Sequence, residues 1–117
     1  MRSAFAGGLV ATLIAGSVAA SGIQIEVEGE ANGTVTIDLL EDIAPQHAAR
    51  ITSLAADGKY NGVVFHRVID GFMAQTGDVE HGKMGSDMRR AGTGGSDMPN
   101  LPAEFSDVAY EKGIVGM

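Results

Sequence analysis

The sequence predicts a mainly β domain carrying one helix, and three observations predict it: alternating apolar residues, turn dipeptides between the alternating runs, and one stretch with helical spacing. Ile23, Ile25 and Val27 alternate with Gln24, Glu26 and Glu28, and Val35, Ile37 and Leu39 alternate with Thr34, Thr36 and Asp38. A period of two puts one set of side chains on one face, so each run reads as a half-buried strand. Asn32-Gly33 lies between them. Both residues tolerate positive φ, so the pair predicts an antiparallel hairpin with one wet face.

The helix is expected to start at Pro45, because proline suits the first helical position, where its missing N–H is not needed. Ala48, Ile51 and Ala55 then fall on one face with Leu54 beside them. Asp57-Gly58 supplies the stop, with glycine just after the cap. One apolar stripe implies one covering helix. His47 lies beside that stripe and reads as a partly buried or surface histidine, since no second ligand stands at metal spacing near it.

Composition excludes several classes of function. At 117 residues, 44% hydrophobic and 20% charged, the chain fits one folded domain at most. A net charge of −7 opposes binding to nucleic acid or to an anionic membrane surface through a general basic field. With no cysteine there is no disulfide, thiolate metal site or thiol nucleophile.

Residues 1–20 differ from the rest. Arg2 gives a positive start, residues 4–15 are uncharged and apolar, and residues 16–20 are small, which is the order of a secretory signal peptide. Cleavage is expected after Ala20, leaving residues 21–117 as the folded part. Its charge would be −8, since the leader holds Arg2 and no acid. Periplasmic or secreted localisation follows, without stable membrane association after cleavage. The alternative is an uncleaved N-terminal anchor, although the Ala and Gly content is weakly apolar for a span of about 20 residues.

Residues 60–78 carry the most information. Residues 63–69 are rich in β-branched and aromatic side chains, Asp70-Gly71 is turn chemistry, and residues 72–76 can return as a second strand. The loop length sets the register. A two-residue loop at Asp70-Gly71 pairs Arg67 with Ala74 and sends Gln75 to the opposite face, and dipeptide statistics favour it. A three-residue loop, Asp70 to Phe72, sets Arg67 against Gln75 and Ile69 against Met73, with Phe72 at the rim. That register brings the polar groups together beside apolar ones, and it is the one predicted.

The run FHRVIDGFMAQTGD resembles the cyclophilin signature, in which Phe-His-Arg leads into a Gly-Phe-Met turn, a Gln and then Gly-Asp. GTGGSDMPNLPAEF is similar to the glycine loop and Glu-Phe of bacterial members, and KGIVGM to the strand after it. With the opening hairpin and APQHAARITSLAADGKY, the resemblance covers residues 23–117. Asp70 stands where the family often has Pro, and Thr76 where it often has Gly. The fold implied is a cyclophilin-like antiparallel β-barrel with capping helix, incomplete in this chain. An eight-stranded barrel with two helices is set against about five strand candidates and one helix here. Groove residues that the family supplies later, an Asn, a Gln, an aromatic wall and a His, have no counterpart, so these residues alone are expected to be weak or inactive as a catalyst.

The activity implied is peptidyl-prolyl cis-trans isomerisation. Resonance gives the X-Pro amide a rotation barrier of roughly 18–20 kcal/mol, and a catalyst must stabilise the twisted amide. Twisting localises the lone pair on the prolyl nitrogen, which becomes a hydrogen-bond acceptor it was not in the planar ground state. A cation with directed N–H donors then binds the transition state better than the substrate. The resemblance gives that role to Arg67, whose guanidinium stays protonated, with Gln75 bonding substrate backbone or orienting Arg67. Phe72 and Met73 would hold the proline ring, and Gly94 would touch the substrate beside it. No bond breaks, so no cofactor or metal is expected. The partners implied are proline-containing polypeptides, met by a monomer.

Each residue also has a plainer reading. A lone Arg on a strand is usually a solvated charge, and Phe or Met beside a turn is usually core. A proline-peptide binding or chaperone module, and a small structural β domain, are the competing classes. His66 is expected to point away from Arg67 by alternation and to be structural. The glycine-rich stretch 82–95 lacks the Lys-Ser/Thr of a phosphate loop, so it reads as a surface loop, with Lys83, Arg89 and Arg90 as a solvated basic spot.

Overall fold

The structure is a computed structural model and describes residues 9–15 and 21–117. Strand β1 spans Leu9–Ala15, β2 Ser21–Val27 and β3 Gly33–Asp38; helix α1 spans Pro45–Ala56; β4 spans Phe65–Ile69 and β5 Met73–Thr76. A 3-10 turn, Met88–Arg90, follows. Strands β1, β2 and β3 form one antiparallel sheet in that order, and β4 and β5 form a separate hairpin. Among the described residues the architecture is mainly β with one α-helix, the sheets not closed into a barrel.

The alternation read from sequence appears as burial. Ile23 and Ile25 are buried on β2, and Ile37 packs against them from β3 while Val35 is exposed. The β2–β3 connection differs from the expected tight turn. Gly33 already belongs to β3, opposite Val27, leaving a five-residue loop, 28–32, between the strands. Asn32 closes that loop with its side chain: Oδ1 accepts from the Gly29 N–H at 3.1 Å, and Nδ2 donates to the Gly29 carbonyl at 3.1 Å. The dipeptide marks the hairpin, but Asn32 acts through its carboxamide rather than by adopting a two-residue turn.

The leader reading falls partly on described residues. Leu9–Ala15 forms β1 and pairs with β2 from Leu9 opposite Val27 to Ala15 opposite Ser21. Residues 1–8 and 16–20 lie outside the described residues.

Helix α1 begins with Pro45 and ends at Ala56 with Asp57 as its C-cap, and Gly58 follows at φ 72°, the left-handed position that glycine takes without strain. It packs against β1 and β2. Leu54 and Ala55 join Ile23, Ile25, Tyr60 and the fully buried Val63 in one core. Burial pushes the Tyr60 hydroxyl up to about 12, against the opposing pull of the Arg50 charge.

Two other expectations change. No strand forms over 112–117, because a strand exists only through a ladder and none of the described residues pairs with this segment. Lys83 is not part of a solvated basic spot: its Nζ donates to the carbonyls of Lys59 at 2.6 Å and Asn61 at 2.8 Å, tying the stretch after the hairpin to the turn after α1. Arg89 is exposed and pairs with Asp87 at 3.0 Å.

Candidate active site

The β4–β5 hairpin has the longer of the two loops considered. Ile69 faces Met73, Val68 faces Ala74 and Arg67 faces Gln75, leaving Asp70, Gly71 and Phe72 as the connection. The Phe72 N–H donates to the Ile69 carbonyl at 3.0 Å, and Gly71 takes φ 74°, a conformation unfavourable for any side chain with a Cβ. Directly opposed residues share a face, so the guanidinium and the carboxamide stand on one side of the ribbon with Ile69 and Met73.

A β-bulge between Phe65 and Arg67 makes this possible. Phe65 pairs with Thr76 and Arg67 with Gln75, so the extra residue is His66. Thr76 and Gln75 are neighbours and point to opposite faces, and therefore so do Phe65 and Arg67. Regular alternation would have put Phe65 and Arg67 together. The bulge instead lets Phe65 pack on the core while Arg67 is turned out to solvent. The Thr76 hydroxyl donates to the Val64 carbonyl at 2.8 Å beside this irregularity.

The site is open and polar with an apolar border. Arg67 and Gln75 are exposed, Met73 is half-buried, and Phe72 is 76% exposed at the hairpin tip. Among the described residues, Arg67 has no ion-pair partner. Five N–H donors on a fixed fork are therefore directed at solvent beside a carboxamide that can both donate and accept. No group of three or more potential metal ligands occurs among the described residues.

Gly94 lies in the loop after the 3-10 turn. A side chain there would meet Glu80 Cβ and His81 Cδ2 at 2.7 Å and Asp78 Oδ1 at 2.8 Å, so its Cα faces its own support. Arg67, Gln75 and Met73 share one face, with Phe72 at its end, and Gly94 is held by Asp78.

Asp78 is a buried carboxylate. Its Oδ1 accepts from the N–H groups of Glu80 at 3.0 Å and His81 at 2.8 Å, and its Oδ2 from those of Gly92 at 2.7 Å and Gly94 at 3.0 Å. Burial pushes the acid up, and the four N–H donors more than reverse this, holding it at about 2. Glu104 plays a similar part at the start of α1, where Ala44 offers no side-chain cap. Its Oε2 accepts from Gln46 N–H at 3.0 Å, and its Oε1 from His47 N–H at 2.9 Å, with His47 Nδ1 at 2.6 Å. Desolvation pushes Glu104 up, while His47 and these donors pull it below the usual carboxylate range. Both residues stand in the motifs quoted above, but local pattern does not give their roles, since donors lie 14–16 residues away for Asp78 and 57–58 for Glu104.

Comparison with known proteins gives the family. The family model described as "Cyclophilin type peptidyl-prolyl cis-trans isomerase/CLD" matches residues 23–117. The chain belongs to the cyclophilin-type peptidyl-prolyl cis-trans isomerase family. It is 57% identical over 88 residues to a protein of Brucella suis biovar 1 (strain 1330) named "Probable peptidyl-prolyl cis-trans isomerase", covering 74% of this chain and 45% of that one. A Synechococcus elongatus protein named "Peptidyl-prolyl cis-trans isomerase" is 36% identical over 85 residues, covering 73% of this chain and 52% of its own length. The chain thus spans about half the length of these relatives. No solved structure matches it. The cyclophilin match contains the whole β4–β5 hairpin and the Asp78 corner.

Proposed function

We propose that the full-length protein is a peptidyl-prolyl cis-trans isomerase that accelerates rotation about X-Pro bonds in other polypeptides. The observation that carries this reading is the pairing of Arg67 with Gln75 across an irregular hairpin, on an exposed face that also holds Met73. A proline ring resting against Met73 and Phe72 puts its amide within reach of that face. The guanidinium then donates to the substrate carbonyl and to the prolyl nitrogen as its lone pair localises, and Gln75 fixes the neighbouring backbone. Such donors favour the twisted amide over either planar isomer, so both directions of rotation are accelerated equally. Proton transfer has no part in it, and activity should therefore be flat across neutral pH.

A protease-coupled assay on a proline peptide tests the proposal. Arg67→Ala should lower kcat/KM by about 100-fold, the size expected when a preorganised donor to developing charge is lost. Retention of the wild-type rate would refute it. Loss of rate with peptide binding intact supports catalysis, whereas a wild-type protein that binds without accelerating rotation would be a proline-peptide binding module.

We further propose that the protein acts as a monomer outside the cytoplasm, after removal of residues 1–20. The Arg2 start, the uncharged apolar run and the small residues before Ser21 support the removal, which would take β1 from the edge of its sheet. No helix among the described residues is long and apolar enough to cross a membrane. Mass spectrometry of the exported protein should find an N-terminus at Ser21; recovery of an intact Met1 from the membrane fraction would favour an anchor.

A further inference from the structure

Asp78 sits three residues after Gln75, beyond the end of β5, and its carboxylate is saturated. Two of its four N–H donors belong to its own turn, and the other two, Gly92 and Gly94, come from the glycine loop. Gly95 N–H adds a bond to Glu80 Oε1 at 3.3 Å. The close fit of Gly94 against Asp78, Glu80 and His81 leaves no room for a methyl group. The loop is thus hung from the strand that carries Gln75.

The same loop also touches the other strand. A Cβ built on Gly92 would lie 3.0 Å from His66 Nε2 and 3.2 Å from Cδ2, so the bare Cα of Gly92 faces the imidazole. Gly92 has φ 93°, which further disfavours any other residue there. His66 is the extra residue of the bulge, and its buried Nδ1 has no hydrogen-bond partner among the described residues. A buried nitrogen without a partner would gain free energy by turning out to water, so packing must hold the ring in place. Gly92 supplies part of that packing.

These contacts join Asp78 to Arg67 through the glycine loop and His66. We infer that Asp78 is a positioning residue, whose carboxylate holds the 92–94 loop against His66 and so keeps the bulge where it places Arg67 beside Gln75. The inference rests on the isomerase reading and deepens it. A bulge is a one-residue offset, and losing or moving it by one residue would carry Arg67 to the opposite face. The loop need not touch substrate to matter. It acts as a wedge on the strand that presents the cation.

The test compares Asp78→Asn with wild type in the full-length protein. The amide keeps the shape but sets an NH2 group against two of the four N–H donors, which should release the loop. kcat should fall at least about tenfold while KM changes less than about twofold, because the apolar contacts of Phe72 and Met73 survive. The Arg67 Nε–Hε resonance should shift or broaden by NMR. In an Arg67→Ala background the substitution should lower the residual rate no further, whereas simple loss of folded protein would lower it by the same factor again. If Asp78→Asn does not fold, Gly94→Ala drives the loop away while leaving the carboxylate, and the same three results are expected. A raised KM with unchanged kcat in Gly94→Ala would instead make Gly94 a substrate contact and overturn the wedge. A wild-type protein that accelerates rotation, with Asp78→Asn equal to it in kcat and in the Arg67 resonance, overturns this inference alone. A wild-type protein with no isomerase activity overturns the isomerase reading and this inference with it.

Discussion

Two charged groups within a dozen residues of each other are treated in opposite ways. Arg67 stands on an exposed strand face with no ion-pair partner among the described residues, and Asp78 is buried with four backbone N–H donors on its two oxygens. A charge with all its valences filled organises the chain around it and has nothing left to offer a ligand. A charge presented without partners gives up little stability and remains free to bind. The hairpin face is therefore where chemistry is to be sought, and the Asp78 corner is where the geometry of that chemistry is maintained.

The contrast predicts different losses in the two places. Arg67→Ala should produce the largest functional effect, the roughly 100-fold fall in kcat/KM given above, with the melting temperature nearly unchanged because the side chain is exposed. Asp78→Ala should do the reverse in emphasis. Leaving buried N–H groups unsatisfied should cost about 2–4 kcal/mol in a urea titration. A melting temperature that falls for Arg67→Ala and not for Asp78→Ala would erase the distinction.

Acid sharpens the same comparison. The Asp78 acid lies at about 2 in the folded protein against 3.8 for an unperturbed one, so the folded state binds the proton less well than the unfolded state. Its contribution, about 2 kcal/mol, is present above pH 4 and is lost as pH falls toward 2. Urea titrations at stepwise lower pH should show this loss, and Asp78→Asn should flatten that part of the profile. Glu104, also held below its ordinary range, should add to the loss in the same direction. Glu104→Ala should lower the melting temperature by a few degrees by uncapping α1, with kcat unaffected. The smallest effect is expected at Phe72, 76% exposed at the hairpin tip. Phe72→Ala should leave stability unchanged within about 0.5 kcal/mol and raise KM a few-fold.

Much of the fold can be read from local pattern, since local pattern is what determines it. The Ile23 to Val27 alternation, the Pro45 start and Gly58 stop of α1, and the Asp70-Gly71 turn are all settled within a few residues. Asn32-Gly33 shows the limit of that reasoning: the hairpin is present, but its loop is closed by a side chain that dipeptide statistics do not weigh. The residues over 112–117 have strand character but pair with none of the described residues, because pairing is a property of two segments and not of one.

For the site, the Arg67–Gln75 register was legible because only one loop length puts the polar pair on a common face. The bulge behind that register was not. Alternation assigns Phe65 and Arg67 to the same side, and only the structure shows one packed on the core and the other at the surface. Lys83, a solvated charge by composition, holds two carbonyls. Asp78 and Glu104 stand in the motifs, but their roles could not be read there, because each works on backbone brought to it by the fold.

The most direct measurement is exchange spectroscopy of a proline peptide with the full-length protein, which follows the cis and trans resonances themselves and needs no coupled protease. Wild type at substoichiometric concentration should bring the two isomers into exchange within a second, and Arg67→Ala should return them to the spontaneous rate while still broadening the peptide signals by binding. Exchange that stays as fast without the Arg67 guanidinium would show that the exposed face of the β4–β5 hairpin is not where rotation is catalysed.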